Sequence, residues 1–401
     1  MPSDAPHSQP RPIPAFLTLG FRPFFLLAAI WAAFAMILWL AVLTGVLMVP
    51  SAFDPVSWHA HEFLFGYLGA VVAGFLLTAV PNWTGRPPIR GTSLGALVFV
   101  WLIGRIAVTT SLYWPASVVA VLDLIFSVLL ATLILREIIA GRNWRNLIIV
   151  GLLGMLIVAN LIFHLEAAQG GFAAQGYGLR LGLAAGVMMI AVIGGRIVPA
   201  FTRNWLMKRG PGRLPVPPMT RFDAIGLLVL LAALLAWVIA PDHKVSAAAL
   251  ILAGLLHAAR LARWAGERTF SEPLIWVLHL AYAFVPLGAL AIGVAGLVAD
   301  PAAQVAAQHL WMAGAIGLMT LAVMTRASLG HTGRALVAGP GTTAAYLAVL
   351  ASVALRVAAV LWPEAASQLH ALSALFWIAG FAGFAVKFAP LMLRPRPDPA
   401  G

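Results

Sequence analysis

"WHAHEFLFGYLGAVVAGFLLTAVP" (residues 58–81) decides what kind of protein this is. Two histidines and a glutamate crowd four positions, and an almost purely apolar run follows to Pro81. That length is what an α-helix needs to cross the roughly 30 Å hydrocarbon core of a bilayer. Ionisable groups at the threshold of such a helix cost free energy and are rare without a task. The spacing also poses a problem. Residues two apart on a helix point about 200° from one another, so one face does not present both His59 and His61.

The rest of the chain is written in the same chemistry. Of 401 residues, 62% are hydrophobic and only 9% charged, with a mean hydropathy of +0.96; a soluble domain carries about 25% charged residues. Apolar runs predict twelve helices at about 24–49, 58–81, 92–112, 115–139, 144–169, 177–206, 222–240, 244–263, 272–298, 302–327, 342–362 and 366–391. The expected fold is an all-α polytopic membrane protein with one twelve-helix domain over 24–391. The proline-rich "MPSDAPHSQPRPIPAF" lacks a signal-peptide core, so residues 1–23 read as a flexible tail. Residues 392–401, ending "LRPRPDPAG", read the same way.

Charge gives the expected orientation. Arg86 and Arg90, then Arg136, Arg142 and Arg145, then the basic stretch from Arg203 to Arg221, then Arg260, Arg263 and Arg268, then Arg326 and Arg334 fall in alternate loops. The opposite loops hold only Arg180 and Lys244. Basic residues stay on the cytoplasmic side, which puts both termini there. This asymmetry accounts for the net charge of +12 without a nucleic-acid partner.

Depth then sorts the histidines. His59, His61, His164 and His309 fall in the outer third of the membrane, with His370 a further member, while His257, His279 and His331 lie nearer the cytoplasm. A lone interfacial histidine is usually just hydrogen-bonded, but several imidazoles at one depth suit copper, iron or zinc. The chain has no cysteine, which excludes disulfides and thiolate-held metals. Glu62 and Glu166 are the nearest acids, able to orient an imidazole or relay protons, and Asn160 lies one turn before His164. Trp276, His279 and Tyr282 form a deeper polar-aromatic stripe that would line a cofactor pocket or make interhelical hydrogen bonds.

Three arginines, Arg105, Arg196 and Arg356, lie inside spans. Arg105 and Arg196 lack an acid at i+3 or i+4 on their own helices, which makes an anionic ligand a candidate partner. A weak repeat is also visible: "HEFLFGYLG" (61–69) and "HLWMAGAIG" (309–317) both read H-x4-G-x2-G. Their glycines would admit a neighbouring helix or a flat macrocycle. "TAVPNWTGR" and "RIVPAFTRNW" rhyme at the inner ends of the second and sixth spans. Three four-helix units in pseudo-threefold arrangement are expected, with His61 equivalent to His309. His59, ahead of the first full turn, would swing toward the same site.

"GFRPFFLLAA" (20–29), "WHAHEFLFGY" (58–67), "GFLLTAVPNWTG" (74–85), "GGRIVPAFTRNW" (194–205) and "MTLAVMTRASLGHTGR" (319–334) together resemble the NnrS family, in order and over nearly the whole chain. The resemblance implies a twelve-helix bacterial inner-membrane protein containing haem (haem b) and copper, associated with nitric oxide metabolism and nitrosative-stress tolerance. The expected function is therefore nitric oxide binding and reduction to nitrous oxide. Metal ligands would come from His61, His164 and His309, with His59 next; His309, His279, Arg196 and Arg105 are candidates around haem. Glu62, Tyr67 and Glu166 are proton-relay candidates. Electrons would come from an external quinol or cytochrome. The alternative is a haem or copper sensor, or a transporter of a metal–nitrosyl species whose helix breaks at "VIGGRIVPAF" (192–201).

Overall fold

The computed structural model describes residues 13–396, and no strand occurs among them. Twelve helices are long and apolar enough to cross a membrane: α1 (Phe21–Leu43), α2 (Pro55–Thr84), α3 (Thr92–Thr109), α4 (Ala116–Ala140), α5 (Trp144–Ala168), α6 (Tyr177–Leu206), α7 (Arg221–Ile239), α8 (Lys244–Ala262), α9 (Pro273–Val298), α10 (Pro301–His331), α11 (Pro340–Leu361) and α12 (Pro363–Leu393). This is a multi-pass membrane protein. An even number of crossings puts both ends of the described chain on one face, the terminal face; α2 starts at the other, the distal face. The tail expectations for residues 1–12 and 397–401 lie outside the described residues.

The expected tail over 1–23 does not extend through Arg22. Helix α1 begins at Phe21, and Arg22 is buried with Nη1 donating to the carbonyls of Met392 (3.0 Å) and Arg394 (2.7 Å). Those carbonyls end α12 and need donors. Helix α2 also starts before its expected position. Asp54 accepts from the amides of Val56 and Ser57, each at 3.0 Å, and Pro55 takes the first helical position, where its missing N–H costs nothing.

Helices α2, α6 and α10 form the centre. In their most apolar stretches 83%, 78% and 67% of residues are buried, against 28–56% in the other nine helices. They pack on one another, and the outer helices flank them in three runs: α3 on α4 on α5, α7 on α8 on α9, and α11 on α12 on α1. Each central helix also contains a π-helical stretch, at Glu62–Tyr67, Ile190–Gly194 and Leu310–Leu318. Such stretches are rare and shift the facing of every residue that follows. Three units of four helices therefore share both a packing pattern and a local distortion.

Lipid tails are as apolar as leucine, so helix association here depends on close contact and hydrogen bonds. Gly186 of α6 shows the first. A Cβ there would meet Ile316 of α10 at 2.9 Å and Leu68 of α2 at 3.2 Å. Beside it lies a cavity of about 70 Å³, walled by Leu68, Gly186, Ile190, Met319 and Thr320 among others. Thr320 is the one polar side chain in its wall, and its hydroxyl already donates within α10.

Candidate metal centre

Helix α2 delivers His61 and Glu62 from its second turn, and the start of the helix is pinned because Ser57 Oγ accepts from the amide of Ala174 at 3.0 Å. Helix α3 supplies Arg105, α4 supplies Asp123, and α5 supplies Asn160 and His164 one turn apart. Four helices thus converge, and none of these six residues is more than 4% exposed.

Asp123 is the hub. Its Oδ2 lies 3.2 Å from His61 Nε2 and 3.0 Å from His164 Nε2, and accepts from Asn160 Nδ2 at 2.7 Å. Arg105 donates through Nη2 to Asp123 Oδ1 and through Nη1 to Glu62 Oε1 at 2.8 Å. Glu62 Oε1 also lies 3.2 Å from His61 Nδ1, while Glu62 Oε2 is buried without a partner. Phe53, Phe65 and Phe163 surround His61 at ring-centroid distances of 5.5, 5.2 and 5.4 Å. The polar island is sealed in aromatic packing.

Two observations say that this island wants a cation. Two carboxylates and one guanidinium leave a single net negative charge when both imidazoles are neutral, and buried charge is costly unless balanced. Moreover, both ring nitrogens of His61 face oxygens, those of Glu62 on one side and of Asn160 (2.9 Å) and Asp123 on the other. A neutral imidazole has one N–H and satisfies only one side, whereas an imidazolium, or a metal ion bound at one nitrogen, answers both. His61, Asp123 and His164 offer one ligand atom each, all within 4.8 Å of one another. Two imidazoles and a carboxylate are a transition-metal donor set.

Gly66 and Gly104 make the network possible. A Cβ on Gly66 would meet Arg105 Nη1 at 2.5 Å, and one on Gly104 would meet Asp123 Oδ1 at 3.1 Å. Gly66 is the first glycine of the H-x4-G-x2-G repeat. Its counterpart Gly314 faces the Phe284 ring, and Gly317 faces Trp377. Side chains, rather than a flat macrocycle, fill the space over these glycines.

The remaining expected residues are dispersed. His59 does not swing toward His61. Because α2 starts at Pro55, His59 is already helical and points the other way, stacked on Trp39 at 4.5 Å. His309 donates from Nδ1 to its own helix at Val305 O (2.8 Å) and lies outside the three-residue set. Glu166 caps α6, accepting from the amides of Tyr177 (2.6 Å) and Gly178 (3.1 Å). Tyr67 bonds Thr320 Oγ1 at 2.6 Å beside the apolar cavity. His279 Nε2 bonds Thr202 Oγ1 at 2.8 Å, and its unpartnered Nδ1 abuts Gly266, where a Cβ would sit 2.7 Å away. Arg196 donates to Asn146 Oδ1 at 3.2 Å. Arg105 has its anions within the protein, on helices other than its own.

Asp123 was missed by sequence reasoning, although a signal existed. It is a lone carboxylate deep in the apolar run "ASVVAVLDLIFSVLLATLIL" (116–135), and intramembrane acids mark function by default.

A search of the curated proteins finds no match. The family model described as "NnrS protein" matches residues 15–396, a stretch that contains all twelve helices and every residue of the buried centre; the chain belongs to the NnrS family.

Proposed function

We propose that this protein is a metal-dependent nitric oxide reductase of the bacterial inner membrane, with both termini cytoplasmic, protecting the cell from nitrosative stress. The observation that carries the reading is the convergence of His61, Asp123 and His164 in a chain of this family. The donor set and the orphaned Glu62 Oε2 fit a copper ion, or iron in its place, held by those three residues. For haem b the fit is narrower. His309 has Nδ1 pinned to Val305 O, the arrangement that leaves Nε2 as a metal ligand, whereas the glycine faces expected to admit the macrocycle are filled.

When bound, the metals supply a site for nitric oxide and Lewis-acid stabilisation of charge developing on oxygen. The chain's own residues do the rest. Asn160 and Arg105 fix both oxygens of Asp123, so the carboxylate presents one orientation. Glu62 is held through Oε1 and offers Oε2 as a place to hold a proton. Phe53, Phe65 and Phe163 exclude water. The apolar cavity between the central helices suits a small uncharged gas that partitions into lipid.

Two nitric oxide molecules, two electrons and two protons give one nitrous oxide and one water. With no cysteine for covalent haem attachment, electrons come from an external quinol or cytochrome. The test is anaerobic incubation of metal-loaded protein with reductant and nitric oxide, following nitrous oxide. Turnover that falls in His164→Ala supports the reading. Full metal loading without turnover refutes catalysis and leaves a sensor or carrier of nitric oxide.

A further inference from the structure

The pseudo-threefold arrangement places a second arginine where Arg105 stands, with different surroundings. Arg105 lies about one turn before the distal end of α3, and Arg356 about one turn before the distal end of α11. Asp123 is the eighth residue of α4, and His370 the eighth of α12. Glu62 follows His61 as Leu310 follows His309. Both carboxylates that neutralise Arg105 are thus replaced, around Arg356, by uncharged residues.

The contacts follow that substitution. Arg356 Nη1 donates to His370 Nε2 at 3.0 Å, and among the described residues Arg356 forms no ion pair with a carboxylate. His309 and His59 lie within range of its charge. Neither supplies an anion, and His59 Nδ1 is buried without a partner. In the remaining unit, α7 carries no arginine beyond its first residue, so the fold does not require a cation at this position. A half-buried guanidinium in an apolar helix, kept without a counter-charge, is costly unless an anion arrives from outside.

We propose that Arg356, oriented by His370, binds a planar oxyanion group of carboxylate or nitrite size near the distal face. Its forked N–H donors match two oxygens of one such group. Two sources share this chemistry: a carboxylate of a porphyrin cofactor seated nearby, or a small free oxyanion. The proposal stands apart from the reading of the metal centre and holds whether or not nitric oxide is reduced.

The experiment uses intact protein in detergent, with nitrite and formate as calorimetric probes and the pyridine haemochrome spectrum as a measure of haem content. Wild type is compared with Arg356→Met and Arg356→Lys. Saturable nitrite or formate binding, undetectable in Arg356→Met and about tenfold weaker in Arg356→Lys, assigns a free oxyanion. Haem content at least halved in Arg356→Met, with wild type taking up neither probe, assigns the porphyrin carboxylate. If Arg356→Met does not fold, wild type and Arg356→Lys decide alone by the same readings. No probe binding by wild type, with haem content unchanged in the folded variants, overturns the proposal.

Discussion

Asp123 sets Oδ2 3.2 Å from Nε2 of His61, across the interface between α4 and α2. The same carboxylate holds His164 and Arg105, so its removal affects metal and fold together. Asp123→Asn keeps the shape and removes the charge. Metal content is expected to fall at least tenfold, because the set loses its anionic ligand. Breaking one partner of a buried ion pair costs about 3–5 kcal/mol, so the thermal midpoint in detergent falls as well. Elemental analysis and a thermal scan on one preparation check both.

The two glycines of the repeat on α2 are expected to differ sharply. A Cβ at Gly66 would press on Arg105 Nη1 at 2.5 Å, whereas at Gly69 the nearest atom is a Phe126 ring carbon at 3.8 Å. Gly66→Ala should lower the thermal midpoint through overpacking worth about 1–3 kcal/mol and displace Arg105 from Glu62. Gly69→Ala should leave the midpoint unchanged or slightly raised. Equal effects would mean that the ion-pair network does not constrain Gly66.

Glu166 separates capping from chemistry. It satisfies two amides at the start of α6, and loss of a helix cap costs about 1 kcal/mol. Glu166→Ala should therefore lower stability by that amount while metal content stays at the wild-type level. His279→Ala should also retain full metal, since its free nitrogen abuts Gly266. Metal loss in either variant would move the centre away from Asp123.

The architecture was legible because hydropathy and helix length are local properties. Twelve apolar runs became twelve spans, and the faint likeness of residues 61–69 to 309–317 reflects central helices that share a π-helical stretch. Depth can be counted along a helix, so His61 and His164 were legible as members of one layer, but so were His59 and His309, which the fold turns elsewhere. Asp123 is hidden at the level of sequence because both carboxylates that Arg105 meets come from neighbouring helices and none from its own. His59 was misplaced for a local reason: the Asp54 cap starts α2 early enough to fix its direction. Which of several intramembrane arginines lacks a counter-charge depends on helix pairing, and that appears only in three dimensions.

The centre itself is tested most directly by X-ray absorption at the edge of the bound metal, on wild type and on the single variants His61→Ala, Asp123→Ala and His164→Ala. The expected wild-type spectrum contains two imidazole nitrogens and at least one carboxylate oxygen, and each variant should lose the metal or one of those ligands. A wild-type spectrum without that ligand set, or all three variants holding full metal with unchanged coordination, would contradict it.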